Sequence, residues 1–204
     1  MSRGFLIVLA ALALAFAVIT GLAVRSGVLG GGQQQSAAIG GPFQLVTQTG
    51  RPADESLLKG KWSAVFFGYT NCPDACPTTL FALGEAEKLL GSKAADFQTV
   101  FISVDPARDT APKLANYMSN TAFPRQAVAL TGTEAQTEAA AKTYRVFHQK
   151  AGEGPDYAVN HSTFTYLMNP KGRFTCVIPF NASPQEIVAH VEKAMAQGDK
   201  AQSC

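Results

Sequence analysis

The chain has 204 residues, of which 47% are hydrophobic and only 16% are charged. Its 17 basic and 15 acidic residues nearly balance, giving a formal net charge of +2, and no cluster of Lys and Arg stands out. This pattern offers no electrostatic footprint for nucleic acid, so we expect no nucleic-acid partner. The length allows one folded domain with an appendage.

The apolar excess is concentrated at the N-terminus, where residues 4–24 carry no charged side chain. A helix of that length can cross a hydrocarbon core of ~30 Å at ~1.5 Å per residue. A cleaved signal peptide is the alternative, but its apolar core usually runs only about 7–15 residues. Residues 22–26 (LAVRS) are also a poor cleavage site. We therefore predict a membrane anchor over residues 1–25. One arginine flanks it on each side, Arg3 and Arg25, so the distribution of positive charge gives little preference for either orientation.

A linker and a folded domain are predicted to follow the anchor. Residues 26–40 (SGVLGGGQQQSAAIG) have no charge and no hydrophobic periodicity. Gly, Ser and Gln dominate this segment, a composition typical of a flexible tether. The domain is predicted over residues 41–200.

Strand and helix patterns alternate through this domain. Strands are predicted at residues 43–49, 62–68, 99–104, 127–130, 163–168 and 174–179. Helices are predicted at residues 78–90, 112–118 and 133–147, and from Pro184 onward, with Thr133 and Ser183 as N-caps. The alternation predicts an α/β protein whose central sheet is flanked by helices. A final hairpin and helix make the sheet mixed and indicate a thioredoxin-like fold.

Two cysteines four residues apart, Cys72 and Cys76, follow the apolar strand predicted at residues 62–68. They lie where a strand turns into a helix, and a helix N-terminus favours the thiolate. Such a pair can form a disulfide staple, act as a redox pair or bind a soft metal ion. Thiolates select Cu(I), zinc or iron–sulfur clusters, and the spacing alone leaves these alternatives open.

Three segments carry a resemblance to a known family: FGYTNCPDACPTTL, ISVDPARDT and NHSTFTYLMNPKGRF, in this order and spacing. They resemble the Sco/SenC family of copper-binding cytochrome c oxidase assembly proteins, over about residues 41–195. The resemblance implies that Cys72, Cys76 and His161 bind one copper ion per chain, as Cu(I) or Cu(II). His161 closely precedes a predicted strand, where thioredoxins place a proline that faces their cysteines.

The resemblance also implies a function and a location. It indicates a metallochaperone that assists assembly of the copper A centre of cytochrome c oxidase. Its expected partners are the oxidase subunit that carries this centre and a copper donor chaperone. The expected location is the inner (cytoplasmic) membrane, crossed once, with the C-terminal domain on the periplasmic side.

The cysteine pair is also compatible with functions other than that of a copper chaperone. A membrane-anchored thiol–disulfide oxidoreductase could keep the cysteines of the oxidase copper site reduced, using Cys72 and Cys76 as a redox disulfide. Such a reductase needs only the cysteine pair, whereas a copper chaperone also needs His161. A thioredoxin-like peroxidase or redox sensor would use one activated cysteine, and the paired motif argues against it.

Three further residues could orient a metal ligand without binding the ion: Asp105, Asp74 and Asn160. Asp105 belongs to a charged turn with Arg108 and Asp109, for which a purely structural network is the alternative. The Sco/SenC pattern usually has Asp where this chain has Asn160, so the position keeps its hydrogen-bonding capacity and loses its charge, while the three ligands are intact.

The remaining histidines and cysteines have simpler interpretations. We expect His148 at the end of a helix and His190 at the edge of the last helix. Cys176 is predicted to be a buried apolar residue within a strand, and Cys204 to be exposed and disordered at the terminus.

Overall fold

The computed structural model describes residues 3–25, 39–198 and 201–204. The chain divides into two compact units, Met1–Ala37 and Ala38–Cys204. The first contains the helix α1 (Arg3–Arg25). Within the described ranges, no helix combines the length and apolar character that a membrane crossing requires. Of the predicted linker, residues 26–38 lie outside the described residues.

A mixed sheet of seven strands forms the centre of the second unit, in the order β2-β1-β5-β4-β3-β8-β9. Its middle strands β3, β4 and β5 are parallel, and the flanking strands pair antiparallel. The strands are β1 (Gln44–Thr47), β2 (Pro52–Asp54), β3 (Trp62–Gly68), β4 (Phe97–Ser103), β5 (Ala127–Thr131), β8 (Thr165–Met168) and β9 (Phe174–Ile178). A separate antiparallel hairpin consists of β6 (His148–Ala151) and β7 (Ala158–His161).

Four helices accompany the sheet: α2 (Ala75–Leu89), α3 (Ala111–Met118), α4 (Glu134–Thr143) and α5 (Pro184–Gln197). Two short 3-10 helices cover Glu55–Leu58 and Gly91–Asp96. Every residue of β3 and β4 is buried, as expected for central strands covered on both faces. The mixed α/β architecture, with a central sheet flanked by helices, is therefore confirmed.

The apolar core consists of two clusters. The larger contains Phe67 and Phe101 from the central strands with Leu114 of α3 and Tyr144 after α4. The smaller cluster packs α2 and α5 against residues of β3 and β8. Its buried members include Trp62, Ala64, Leu83, Ala86, Leu167, Ile187 and Val191. Burial on this scale, at about 25 cal/mol per Å² of apolar surface, is the main stabilising contribution to such a fold.

The register of β3 and β4 determines where function can lie. Gly68 pairs with Ser103 at the carboxyl ends of the two strands, and the amide of Val104 donates to the carbonyl of Gly68 at 2.8 Å. The loops that follow the two strands therefore start at the same edge of the sheet. Carboxyl edges of parallel strands are the usual place for a binding site.

The observed helix starts match the predicted ones where a side chain caps the helix. Thr133 and Ser183 both form capping boxes, with Gln136 and Glu186 as their partners. The cysteine-bearing helix begins at Ala75, three residues before its predicted start. Pro77 is tolerated there because amides of the first turn have no partner within the helix.

The β6–β7 hairpin was not predicted. The helix predicted over residues 133–147 ends at Thr143, and Arg145 takes a left-handed conformation with φ 54°. The prediction that His148 ends a helix is therefore wrong. His148 is the first residue of β6, and its Nε2 lies 2.9 Å from a carboxylate oxygen of Glu138. Its cross-strand neighbour in β7 is His161.

Both ends of the domain extend beyond their predicted limits at residues 41 and 200. Ile39 packs against the larger apolar cluster, and the amide of Gly40 donates to the carbonyl of Thr143 at 2.9 Å. At the other end, Ala201 is buried and Cys204 forms a disulfide with Cys176. The prediction of a free buried Cys176 and a disordered Cys204 is wrong, because their Cα atoms lie only 5.9 Å apart.

Loss of the Cys176–Cys204 disulfide should destabilise the domain, because the bond closes a loop with a sequence separation of 28. We expect Cys204→Ser to lower the free energy of unfolding by about 3–4 kcal/mol, measured by urea denaturation. Ser203→Ala, an exposed neighbour, is the matched control and should leave the urea midpoint unchanged. Equal midpoints for Cys204→Ser and wild type would contradict a stabilising role.

Candidate metal centre

The two cysteines lie on the turn that joins β3 to α2. The amide of Cys72 donates to the carbonyl of Tyr69 at 3.2 Å, which closes the turn. Cys76 follows in the first turn of α2 and is fully buried, whereas Cys72 is half-buried. The amide of Cys76 donates to the Cys72 sulfur at 3.4 Å, so a free N–H of the helix start faces a thiolate position.

His161 is the last residue of β7, and its ring orientation is fixed by the backbone. Its Nδ1 lies 2.8 Å from the carbonyl oxygen of Ser162. A carbonyl can only accept, so Nδ1 carries the proton and Nε2 of the neutral ring keeps its lone pair. Nε2 lies 3.6 Å from the Cys76 sulfur, which places that lone pair at the cysteines.

The two sulfurs and the imidazole nitrogen form a compact donor group, with all three atoms within 4.8 Å of one another. This separation lets one ion contact all of them. Two soft thiolates and an imidazole suit copper in either oxidation state, and they also suit zinc. The structure thus brings together the three residues predicted as ligands.

The two thiols have unequal acidities. A hydrogen bond from the Cys76 side chain, together with the backbone amides of Cys76 and Asp74, lowers the pKa of Cys72 to about 4 against the opposing effect of burial. The same hydrogen bond, together with burial and the charge on Cys72, raises the pKa of Cys76. The pair therefore shares one proton at neutral pH, with the negative charge on the more exposed sulfur.

A glycine at the end of β3 makes room for the buried cysteine. A Cβ atom at Gly68 would lie 2.6 Å from the Cys76 sulfur and 2.9 Å from the Phe101 ring. Aromatic rings complete the surroundings of the imidazole: Phe66 and Tyr69 both contact His161 edge-to-face. These contacts hold the donor group against the apolar core.

Asp109 belongs to the charged turn with Asp105 and Arg108 that the sequence places near the predicted site. Its carboxylate is fully buried and accepts from the Thr70 amide at 3.0 Å and the Thr70 hydroxyl at 2.6 Å. The Ser103 hydroxyl donates to it at 2.7 Å. Asp109 therefore fixes the cysteine-bearing turn to the end of β4. The only sequence signal was its position in the charged turn after a central strand.

The three residues predicted to orient a ligand lie in different surroundings. Asp105 is buried and accepts from Tyr157 and Arg108, so within the described part of the chain its carboxylate bonds to these two side chains and not to the three donors. Asp74 is exposed at the start of α2, accepts from Thr78 at 3.3 Å and makes no capping bond with its side chain. Asn160 is exposed, and strand alternation places it on the opposite face of β7 from His161.

A family profile, SCO1/SenC, matches residues 31–196, which is most of the chain. The chain belongs to the SCO1/SenC family. It is 37% identical over 178 residues to the Arabidopsis thaliana "Protein SCO1 homolog 1, mitochondrial", covering 86% of this chain and 52% of that protein. It is 41% identical over 157 residues to Protein SenC of Rhodobacter capsulatus, covering 76% of this chain and 70% of the relative. The chain thus spans about half the length of the Arabidopsis relative.

Solved Sco structures share the fold. The copper-bound ScoI of Bradyrhizobium japonicum matches with a TM-score of 0.70 and 39% identity, over 76% of this chain and 99% of that one. Copper-bound yeast Sco1 matches with a TM-score of 0.73 and 37% identity, over 81% and 92% of the two chains. These Sco relatives bind copper, and this SCO1/SenC member has a Cys-Cys-His group that could bind it.

Gly68→Ala should damage the metal centre, because the added methyl group overlaps Cys76 and Phe101. We expect a loss of about 1–3 kcal/mol in the free energy of unfolding, together with weaker copper binding. Gly41→Ala is the matched control, since its Cβ would meet only Thr143, at an ordinary 3.7 Å. Urea denaturation and copper titration measure both effects. Wild-type copper affinity in Gly68→Ala would show that the close approach is dispensable.

The reduced, metal-free protein should ionise one thiol at low pH. We expect thiolate absorbance to rise with a midpoint near pH 4, the pKa of Cys72, and Cys76→Ala to move it upward. Because this pKa lies below the ordinary 9.0, ionisation of Cys72 contributes stability that is complete above pH 9 and is lost as pH falls to about 4. A midpoint at the ordinary thiol value would contradict the hydrogen-bonded pair.

Proposed function

We propose that this protein is a copper metallochaperone that assists assembly of the copper A centre of cytochrome c oxidase. The observation that carries the proposal is the donor group itself. Two sulfurs and an imidazole nitrogen lie within 4.8 Å of one another at the carboxyl edge of the sheet. One of these sulfurs is half-buried, so a partner's ligands can reach an ion held there.

Copper is the cargo in this proposal, held by Cys72, Cys76 and His161. The backbone bond from Nδ1 of His161 keeps Nε2 available as a donor. The lowered pKa of Cys72 makes one thiolate available at neutral pH. Solved structures of family members with copper bound support copper as the ion. Resemblance to the Sco/SenC family supports the oxidase subunit as recipient and a copper donor chaperone as the source.

The proposal places the domain outside the cytoplasm, on the periplasmic side of the inner membrane. The Cys176–Cys204 disulfide supports this placement, because such bonds persist mainly in oxidising compartments. Attachment to the membrane rests on the sequence alone, through the uncharged residues 4–24. Residues 26–40 would then act as a tether that raises the effective concentration of the domain near a membrane-bound oxidase.

A second candidate function is that of a thiol–disulfide reductase acting on the oxidase cysteines. The unequal thiol pair favours it, because a low-pKa thiol beside a buried, protonated one is suited to thiol–disulfide exchange. The Cys72 thiolate would attack a substrate disulfide and form a mixed disulfide. Cys76 would then release the reduced substrate, leaving an intramolecular disulfide and requiring an external dithiol reductant.

Replacing His161 tests the chaperone function. We expect His161→Ala to weaken copper binding by more than the roughly 10–100-fold that is typical of losing a residue outside the coordination sphere. Titration of reduced protein with copper, against a competing chelator, measures the affinity. His190→Ala is the matched control, because His190 lies on α5 outside the donor group. Equal affinities for His161→Ala and wild type would remove His161 from the site.

The two candidate functions separate in cells that lack the protein. Added copper should partly restore oxidase activity if the missing function is copper supply, by mass action. A small thiol reductant should restore it if the missing function is reduction, because copper cannot ligate a disulfide. Expression of His161→Ala should fail to restore activity in the first case and succeed in the second. Full oxidase activity without the protein, under limiting copper and with no sister protein present, would exclude both.

A further inference from the structure

Among the described residues, the hairpin β6–β7, which ends in His161, has no strand pairing with the main sheet and is held to the domain by side chains, among them the buried Val159. It forms its own two-stranded sheet, separate from the seven-stranded one. Such a hairpin is marginally stable by itself in water, so its position depends on outside contacts. A cavity of about 510 Å³ lies beside it, lined by Val159, Lys150 and the turn after β4. Packing therefore covers the hairpin incompletely.

A cluster of three residues, Asp105, Arg108 and Tyr157, connects this hairpin to the central sheet; we call it the hairpin cluster. The Tyr157 hydroxyl donates to one carboxylate oxygen of Asp105 at 2.5 Å, and Nε of Arg108 donates to the other at 2.5 Å. A second guanidinium nitrogen donates to the carbonyl of Pro155 at 3.0 Å. The guanidinium carbon also lies 3.6 Å from the Tyr157 ring centroid.

These contacts hold the chain immediately before β7. Tyr157 directly precedes Ala158, the first residue of the strand whose last residue is His161. Asp105 is buried at the end of β4, so it is a fixed point on the sheet. Fixing Tyr157 therefore sets the start of a strand of four residues, and with it the position of the imidazole.

The same guanidinium also faces the other half of the metal centre. Arg108 lies 5.8 Å from the ring of Tyr69, and that ring contacts His161 edge-to-face at 5.8 Å. One residue further along, Asp109 holds Thr70 and thus the cysteine-bearing turn. A single turn after β4 in this way contacts the two segments that carry the donor residues, through separate side chains.

We propose that Tyr157 and Arg108 are positioning residues for His161: the hairpin cluster holds the imidazole at the two thiols. The predicted change in copper affinity rests on the proposed copper-binding function. The predicted positioning of the His161 ring does not, and it can be measured without metal. Two separate sets of residues position the two kinds of ligand. The hairpin cluster controls the nitrogen ligand, and Asp109 with Thr70 controls the sulfur ligands.

Tyr157→Phe is the test variant, because it keeps the ring beneath Arg108 and removes only the hydroxyl bonded to Asp105. We expect copper affinity of the full-length protein to fall about tenfold, the low end for losing a hydrogen bond to a charged group. In the Cu(II) form, the nitrogen hyperfine signal of His161 in electron paramagnetic resonance should weaken, with thiolate-to-copper absorption retained. Arg108→Lys should act in the same direction.

Lys150→Ala is the matched control. Its ammonium group lies 4.1 Å from the same Tyr157 ring, but the residue is exposed and lies outside the hairpin cluster. Its copper affinity and hyperfine signal should equal those of wild type. A Tyr157→Phe effect no larger than that of Lys150→Ala would overturn the proposal.

A double-mutant cycle separates positioning from general destabilisation. If Tyr157 acts through His161, Tyr157→Phe should change copper affinity about tenfold in wild type and hardly at all in His161→Ala. Equal effects in both backgrounds would mean that Tyr157 acts on the whole fold, and the proposal would be wrong.

A readout without metal keeps the test independent of the proposed function. In the reduced apo protein, Tyr157→Phe should accelerate amide hydrogen exchange in β6 and β7 about tenfold, leaving β3 and β4 protected. Nitrogen NMR of the His161 ring should show loss of the single Nδ1-protonated form. If wild type bound no copper but these changes occurred, only the proposed function would fail. Unchanged exchange and an unchanged ring signal would reject the positioning role.

Discussion

The in-register pairing of β3 with β4 is the constraint on which the metal centre depends. Because Gly68 lies opposite Ser103, the turn with the cysteines and the turn with Asp105 and Asp109 leave the sheet side by side. The buried Asp109 carboxylate on the second turn can then accept hydrogen bonds directly from Thr70 on the first. A slip of one residue between these strands would move the Asp109 carboxylate away from Thr70 and exchange the two faces of the shifted strand. The two buried central strands thus fix the positions of the turns that form the metal centre.

The parts of the fold that could be predicted are those with a local cause. β3 reads as an unbroken apolar run, and the helix starts at Thr133 and Ser183 are fixed by capping boxes within four residues. The position of Cys72 and Cys76 follows from the same local logic, since a strand that ends and a helix that begins leave only a short turn between them. His161 was placed through family resemblance, and the structure brings it to the cysteines.

The parts that could not be predicted depend on distant partners. Strands β6 and β7 (HQKA and AVNH) lack the alternation of a half-buried strand, so only their pairing defines them. The disulfide joins a strand residue to the final residue, and no spacing rule indicates that pairing. The partners of Asp109 are equally hidden, because a charged residue in a turn is usually solvated, whereas this one is fully buried against Thr70 and Ser103.

The hydrogen bond from Nδ1 of His161 to the carbonyl of Ser162 has a consequence for proton stoichiometry. With Nδ1 donating to this carbonyl, Nε2 is the ring nitrogen that can offer a lone pair to an ion, and Cys72 has lost its proton well below neutral pH. Only Cys76 still holds a proton that an incoming cation must displace. Near neutral pH, uptake of an ion therefore displaces about one thiol proton instead of two. Because the acceptor is a main-chain carbonyl, exchanging the Ser162 side chain leaves this proton count intact.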